Sequence, residues 1–229
     1  MRRFYGQAAA CPGEGGVAVL LDSRPVRTPG RNLLRVPTDE LAEAIAEEWN
    51  AQGETVDPRS MPLTGLANAA IDRVEPDPAA FARTLAEYGE SDLLCYRAEG
   101  PESLAERQAR VWEPLLGWAR TRFGVDFETT TGVMHRPQPA ATVEQLGSAV
   151  AARSAFQLAG LAPLVTIAGS LIVALALAEG AIGLEAAWQA AMLDESWQAE
   201  QWGEDPLAAA ALANRRREFD AAYLFLTLL

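Results

Sequence analysis

The chain has 229 residues, 49% of them hydrophobic and 22% charged, which suits one large domain or two small ones and excludes a disordered chain. Its formal net charge is −12, which argues against nucleic acid as a partner, because neutralising phosphates needs a cationic surface. All nineteen basic residues are arginine, so Schiff-base lysines, the P-loop lysine and Ser–Lys hydrolases are excluded together.

The charge is unevenly placed. Residues 1–36 carry six arginines against Glu14 and Asp22, a balance of +4, which leaves −16 for the remainder. A basic head on an acidic body points to two regions with different surfaces, or to solvated faces distributed by chance.

The opening residues read as β structure. Short runs at Phe4–Ala10, Val17–Leu21, Pro25–Arg27 and Leu33–Val36 are separated by Gly-, Pro- and Asp-rich turns. The Gly13-Glu-Gly-Gly16 cluster has an acid at its centre and no lysine, and fits a hairpin rather than a phosphate loop. Past Pro37 the period becomes helical. Thr38 precedes two acids, and Leu41, Ile45 and Trp49 follow at four-residue steps. Further helices are expected over Met61–Asp72 and Ala79–Gly89.

Ser103-Leu-Ala-Glu106 has the form of a capping box opening a helix that Pro114 should kink. Residues 123–134 suit a strand or an extended crossing, and helix is expected from Thr142 onward. The expected fold class is therefore α+β: a small mixed N-terminal domain with short antiparallel strands, residues 1–100, then a mostly helical domain, residues 101–229.

About 25 uncharged residues between Arg153 and Glu179 are long enough for a membrane span. They are interrupted by Gly160, Pro163 and Gly169 and lack a basic, aromatic-flanked border. A short helix, a turn near Gly160–Pro163 and a second helix buried on all sides would read the same way. No stable membrane insertion is expected. The N-terminus has no apolar stretch of the secretory kind. Cys11 and Cys95 are far apart without ligand spacing, which favours a reduced compartment.

Catalytic signatures are sparse. The single histidine, His135, beside a proline, suits a general base or a structural role, and no zinc ligands accompany it. There is no nucleophile elbow, dinucleotide loop or zinc-protease helix. No cofactor and no metal site are expected.

The segment Ala190-Ala-Met-Leu-Asp-Glu-Ser-Trp-Gln-Ala-Glu-Gln-Trp-Gly-Glu-Asp205 stands out. On one helix Trp188, Glu195 and Trp202, seven apart, would share a face. An unpaired carboxylate there would cost several kcal/mol if buried. On a groove it would meet an incoming cation or amide between apolar walls, the composition of a protein-binding hot spot. Glu200, Glu204 and Asp205 extend the negative charge past Gly203. The plain alternative is a solvated acidic face with the indoles turned inward. An enzymatic alternative is a small hydrolase or lyase using Glu195 or His135 in a Trp-lined pocket, which would need a second polar group in the same cleft.

Ordered motifs cover nearly the whole chain: Phe4-Tyr5, Leu21-Asp-Ser-Arg-Pro-Val-Arg-Thr-Pro29, Glu48-Trp49, Gln52-Gly-Glu54, Met61-Pro-Leu-Thr64, Leu66-Ala-Asn68, Ala70-Ile-Asp72 and Ser91-Asp-Leu-Leu-Cys-Tyr-Arg97. Gln108, Trp112, Pro114-Leu115, Trp118, Gln138-Pro139, Gly169-Ser170, Asp194-Glu195, Trp197-Gln198 and Trp202-Gly203 follow. In this order and spacing the chain resembles the F1-ATPase assembly chaperones that bind the α subunit. Ser23 departs from the glycine usual in that family's Leu-Asp-Gly-Arg, which puts the hairpin turn in doubt.

The resemblance implies a soluble, non-enzymatic chaperone that holds the unassembled ATP synthase F1 α subunit by the surface that later meets β; a monomer is expected when it is free. It places the functionally important acid at Glu195, with Asp194 second. Trp188, Trp197 and Trp202 complete the expected partner-binding set. A start at the first motif, without an import extension, suggests a bacterial cytoplasmic member or a processed one of the mitochondrial matrix.

Overall fold

Alternation of apolar and polar residues from Gly16 to Leu21 buries Val17, Val19 and Leu21 on one side, so this segment forms the central strand of a small sheet. The computed structural model describes residues 2–132, 134–203 and 205–229; Glu204, one of the acids expected beyond Gly203, lies outside them. Strand β1 (Ala8–Gly13) pairs antiparallel with β2 (Gly16–Leu21), Gly13 opposite Gly16, through the two-residue turn Glu14-Gly15. Gly15, at the second turn position, has φ +79°, which a type II turn requires and glycine supplies. The first strand begins at Ala8, later than expected.

β3 (Arg24–Pro25) and β4 (Arg35–Val36) pair with the two ends of β2. In the β2–β3 turn the left-handed φ, +55°, falls on Asp22 and not on Ser23. The Asp22 carboxylate accepts from the amides of Gly6 and Gln7 at 3.1 and 3.0 Å. Serine at 23 is therefore accommodated without positive φ.

Helix α1 (Asp39–Asn50) starts as expected, its cap Thr38 accepting from Leu41 N. It buries Leu41, Ala42, Ile45 and Ala46 and packs on β1 and β2. Glu48 of α1 reaches the start of α2 (Pro62–Ala69), accepting from Leu63 N at 2.7 Å and from Thr64 N and Oγ1 at 2.8 and 2.7 Å. Burial raises the Glu48 pKa and these bonds oppose the rise.

The chain divides into two compact units. The first comprises residues 1–78, 154–160 and 221–229, and the second residues 79–153 and 161–220, so the boundary expected near residue 100 falls inside the second. In the first unit Phe156 stacks on Phe225, with ring centroids 6.3 Å apart. Gly160 lets residue 226 come close, since a Cβ there would stand 2.7 Å from Leu226 Cδ2.

The second unit begins with α3 (Pro78–Ala86), apart from Pro78 itself, and is mostly helical. It includes one short parallel pair, β5 (Tyr96–Arg97) with β6 (Thr130–Thr131). Helix α4 (Glu102–Phe123) begins after Pro101, which makes no side-chain cap, so the Ser103 capping box does not form. Pro114 lies inside its unbroken run. α5 spans Ala140–Ala151 and α6 Ala155–Ala168.

α6 passes through Gly160 and Pro163, and the long apolar run breaks instead at Gly169, φ +61°. α7 (Leu171–Ala178) follows, buried all round, and packs against α4 and α8 (Leu184–Ala191). Among the described residues no helix is long and apolar enough to cross a membrane.

Ser170 caps α7 by accepting from Val173 N at 3.0 Å. The fully buried Asp92 accepts from Ser170 Oγ at 2.7 Å, Ile172 N at 3.0 Å and Leu94 N at 3.1 Å. Burial pushes its pKa up to about 6 against those bonds. Cys95 is buried, its thiol pushed up to about 12 by burial and then by Asp92; Cys11 is exposed, and both are free.

Candidate functional site

Ala191, Met192 and Leu193 are all buried. Three consecutive inward side chains span roughly 200° of a helix circumference, more than one straight helix can turn toward a core. The chain bends at Met192, φ −100° and ψ 15°, separating α8 from α9 (Leu193–Trp202). The single face expected for Trp188, Glu195 and Trp202 therefore does not exist. Trp188 lies on α8, half-buried, edge-on to Phe219 at 5.5 Å and under the Arg216 guanidinium at 5.3 Å. Arg216 also pairs with Glu185 and Asp220.

Asp194, Glu195, Trp197 and Trp202 do lie together on α9. Leu193 is the one buried residue of this helix, so polar contacts hold the rest. Asp194 Oδ1 accepts from Gln108 Nε2 of α4 at 2.8 Å. Glu200 pairs with Arg107 of α4 at 2.7 Å, and this bond holds its carboxyl below the usual range. Glu195, five residues back and about 140° around the helix, binds Arg215 of α10 (Pro206–Thr227) through both oxygens, at 2.9 and 2.5 Å. The same bond raises the Arg215 pKa. The Glu195 side chain keeps half its surface in solvent.

A groove of about 540 Å³ runs beside this pair, bordered by Glu195, Ala199, Trp202, Ala208, Leu212 and Arg215. Alanines make an apolar floor, and Trp202, 79% exposed, forms a wall. Leu207, at the start of α10, is 81% exposed. A second cavity of about 500 Å³ is bordered by Arg97, Leu104, Gln108, Asp194 and Trp197, and Gln198 and Trp202 border both. Trp202 thus stands as a ridge between two recesses, with a carboxylate on each side.

Arg215, Arg107 and Leu207 were not singled out from the sequence. The Arg215-Arg-Arg217 run was the one available sign, and nothing local ties it to Glu195. His135 lies elsewhere, exposed, with Nδ1 3.1 Å from Tyr96 Oη, bordering a recess with Glu90, Gln138 and Glu144. Glu195 and His135 border different recesses, so the arrangement lacks the convergence that acid–base catalysis needs. Among the described residues no three His, Cys, Asp or Glu side chains are placed to hold a metal ion. What the α9 region offers is a charged, aromatic-walled surface suited to binding.

Residues 2–120 match the model of the ATP12 chaperone protein family. The mitochondrial atp12 protein of Schizosaccharomyces pombe is 27% identical over 214 residues, covering 88% of this chain and 74% of that protein. The crystal structure of Atp12 from Paracoccus denitrificans is 45% identical, covers 99% of this chain and 97% of its own, and superposes with a TM-score of 0.95. A protein of Agrobacterium tumefaciens, 41% identical with the same TM-score, covers 99% of this chain and 85% of its own. The chain belongs to the ATP12 chaperone family and is a chaperone of ATP synthase assembly, not an enzyme.

Proposed function

We propose that the chain binds the unassembled ATP synthase F1 α subunit and covers its interface until the β subunit replaces it. The observation that carries this reading is the exposed indole of Trp202 beside the half-exposed Glu195 carboxylate, on a groove with an apolar floor. A free subunit exposes apolar surface normally covered in the assembly, and masking it needs neither nucleotide nor catalytic group.

Magnitudes favour docking here. Burying Trp202 or Leu207 against a client is worth on the order of 1.5–3 kcal/mol each. The exposed Glu195–Arg215 pair that a client cation must displace contributes about 0–1 kcal/mol. Glu195 is the central contact, with Asp194, Trp197 and Trp202 around it, and Trp188 packs α8 against Phe219 of α10. The free chaperone acts as a monomer. Bacterial cytoplasm or mitochondrial matrix suits it, in keeping with bacterial relatives and a mitochondrial one.

The test is capture of isolated F1 α subunit by purified chain. Glu195→Lys should fold normally and bind α at least about tenfold more weakly, as truncated hot spots do. Unchanged affinity removes Glu195 from the site, and no capture by wild type removes the α subunit as client.

A further inference from the structure

The two units treat their arginines differently. In the second unit, eight of eleven arginines form ion pairs with carboxylates among the described residues. In the first unit, among the described residues, only Arg59 does. Three of that unit's acids are committed to other donors. Asp22 accepts from the amides of Gly6 and Gln7, and Glu48 from Leu63 and Thr64. Asp72 takes Thr28 Oγ1 at 2.6 Å, Gly30 N at 2.7 Å and Asn32 Nδ2 at 2.9 Å. These three carboxylates are met by amides and by the Thr28, Asn32 and Thr64 side chains, not by guanidinium groups.

The unmatched charge concentrates on one hairpin. Arg24, Arg27 and Arg31 are exposed within eight residues of β3 and the turn that follows it. The buried neighbours Val26 and Thr28 turn Arg27 outward, and its Nη1 donates to the Arg31 carbonyl at 2.8 Å, which brings Arg27 and Arg31 together. Leu33, bridged to Arg27, is 36% exposed. Asp72 fixes the turn from below: a Cβ on Gly30 would stand 2.6 Å from Asp72 Oδ1, so the close approach needs glycine. Arg31 has φ +68°, a backbone conformation that costs a branchless glycine far less than an arginine.

We propose that this hairpin is a second docking surface, which receives an acidic segment of a partner polypeptide. A fixed turn presenting three guanidinium groups beside an exposed leucine suits carboxylates, which guanidinium binds in a bidentate fork. The remainder of the chain is strongly acidic, so it repels an acidic segment everywhere else and sharpens its orientation. If the α subunit is the client, the hairpin would engage acidic surface of α while Glu195 engages a basic group. That last link rests on the function proposed above; the surface itself does not.

The test compares wild type with Arg24→Gln/Arg27→Gln/Arg31→Gln, first checked for an unchanged thermal melt. The probes are a fluorescent oligoglutamate peptide, isolated F1 α subunit, and vesicles of equal parts phosphatidylcholine and phosphatidylserine. Wild type should bind the peptide with an affinity that falls steeply with salt, and the variant should bind it at least about tenfold more weakly with a flattened salt response.

No peptide binding by wild type, or equal binding by the variant, overturns the proposal. Vesicle binding that exceeds peptide binding and vanishes in the variant also overturns it, in favour of lipid, and a salt-sensitive dimer lost in the variant does so in favour of a second copy. Arginine-dependent peptide binding without any capture of α leaves the surface standing and removes α as its partner.

Discussion

Asp92 and Glu195 are both carboxylates close to the start of a helix, and they illustrate two opposite uses of the same group. Asp92 is wholly enclosed and met by two amides and a hydroxyl; Glu195 is half in solvent and met by one guanidinium. Amide donors belong to the backbone and cannot leave without unravelling it. A guanidinium at the end of a flexible chain can swing away and be replaced by another cation. Enclosure plus amides makes a fastening, and exposure plus arginine makes an exchangeable contact. Glu48 belongs with Asp92, and Glu200 with Glu195.

The sharpest way to break this contrast is Asp92→Ala. It leaves the amides of Leu94 and Ile172 and the Ser170 hydroxyl without their acceptor in the core, at about 1–3 kcal/mol for each group left unsatisfied. Urea unfolding should show a loss of about 3–5 kcal/mol, while folded protein keeps its affinity for α. A loss below about 1 kcal/mol would erase the distinction.

The pH response of the fastening comes next in size. An acid whose native pKa lies above its unfolded value binds its proton more tightly when folded. Its stabilising contribution is complete below about pH 4 and is lost as pH rises through the native value of about 6. The stability of wild type relative to Asp92→Asn should fall by about 3 kcal/mol between pH 4 and pH 7, measured by urea titration at each pH. A difference independent of pH would mean that Asp92 is ionised throughout. Glu48→Gln turns an NH2 group toward the donors at Leu63 or Thr64, and should cost about 1–2 kcal/mol in the same measurement.

The exchangeable class should scarcely register in stability. Glu195→Gln is expected to shift unfolding by less than about 1 kcal/mol while weakening capture of α. Smallest of all is Arg215→Gln: removing the internal competitor should tighten α binding about two- to fivefold, read by titration calorimetry. Weaker binding would show that Arg215 contacts the client itself.

Local chemistry was legible in the sequence where neighbours in the chain are neighbours in space. The Glu14-Gly15 hairpin and the Thr38 cap depend on residues a few positions apart, and both form as expected. The Ser103 box failed because Pro101 already sets the helix start. The face shared by Trp188, Glu195 and Trp202 failed because spacing counts continue through a bend that only the burial of Ala191, Met192 and Leu193 together demands.

The carboxylate partners were invisible for a related reason. Arg215 lies 20 residues from Glu195, Arg107 lies 93 from Glu200 and Ser170 lies 78 from Asp92. Glu195 and Glu200 stood out as acids of their segment and Asp92 did not, and in no case was the partner, which determines what the acid does, readable.

The first unit draws on residues 221–229, some 140 positions beyond Pro78. During translation at about 5–20 residues per second, the sheet would wait on the order of ten seconds for that segment to emerge. Phe225, fully buried in the finished protein, cannot yet cover its neighbours in the nascent chain. A chaperone of ATP synthase assembly thus carries an unfinished surface of its own while it leaves the ribosome.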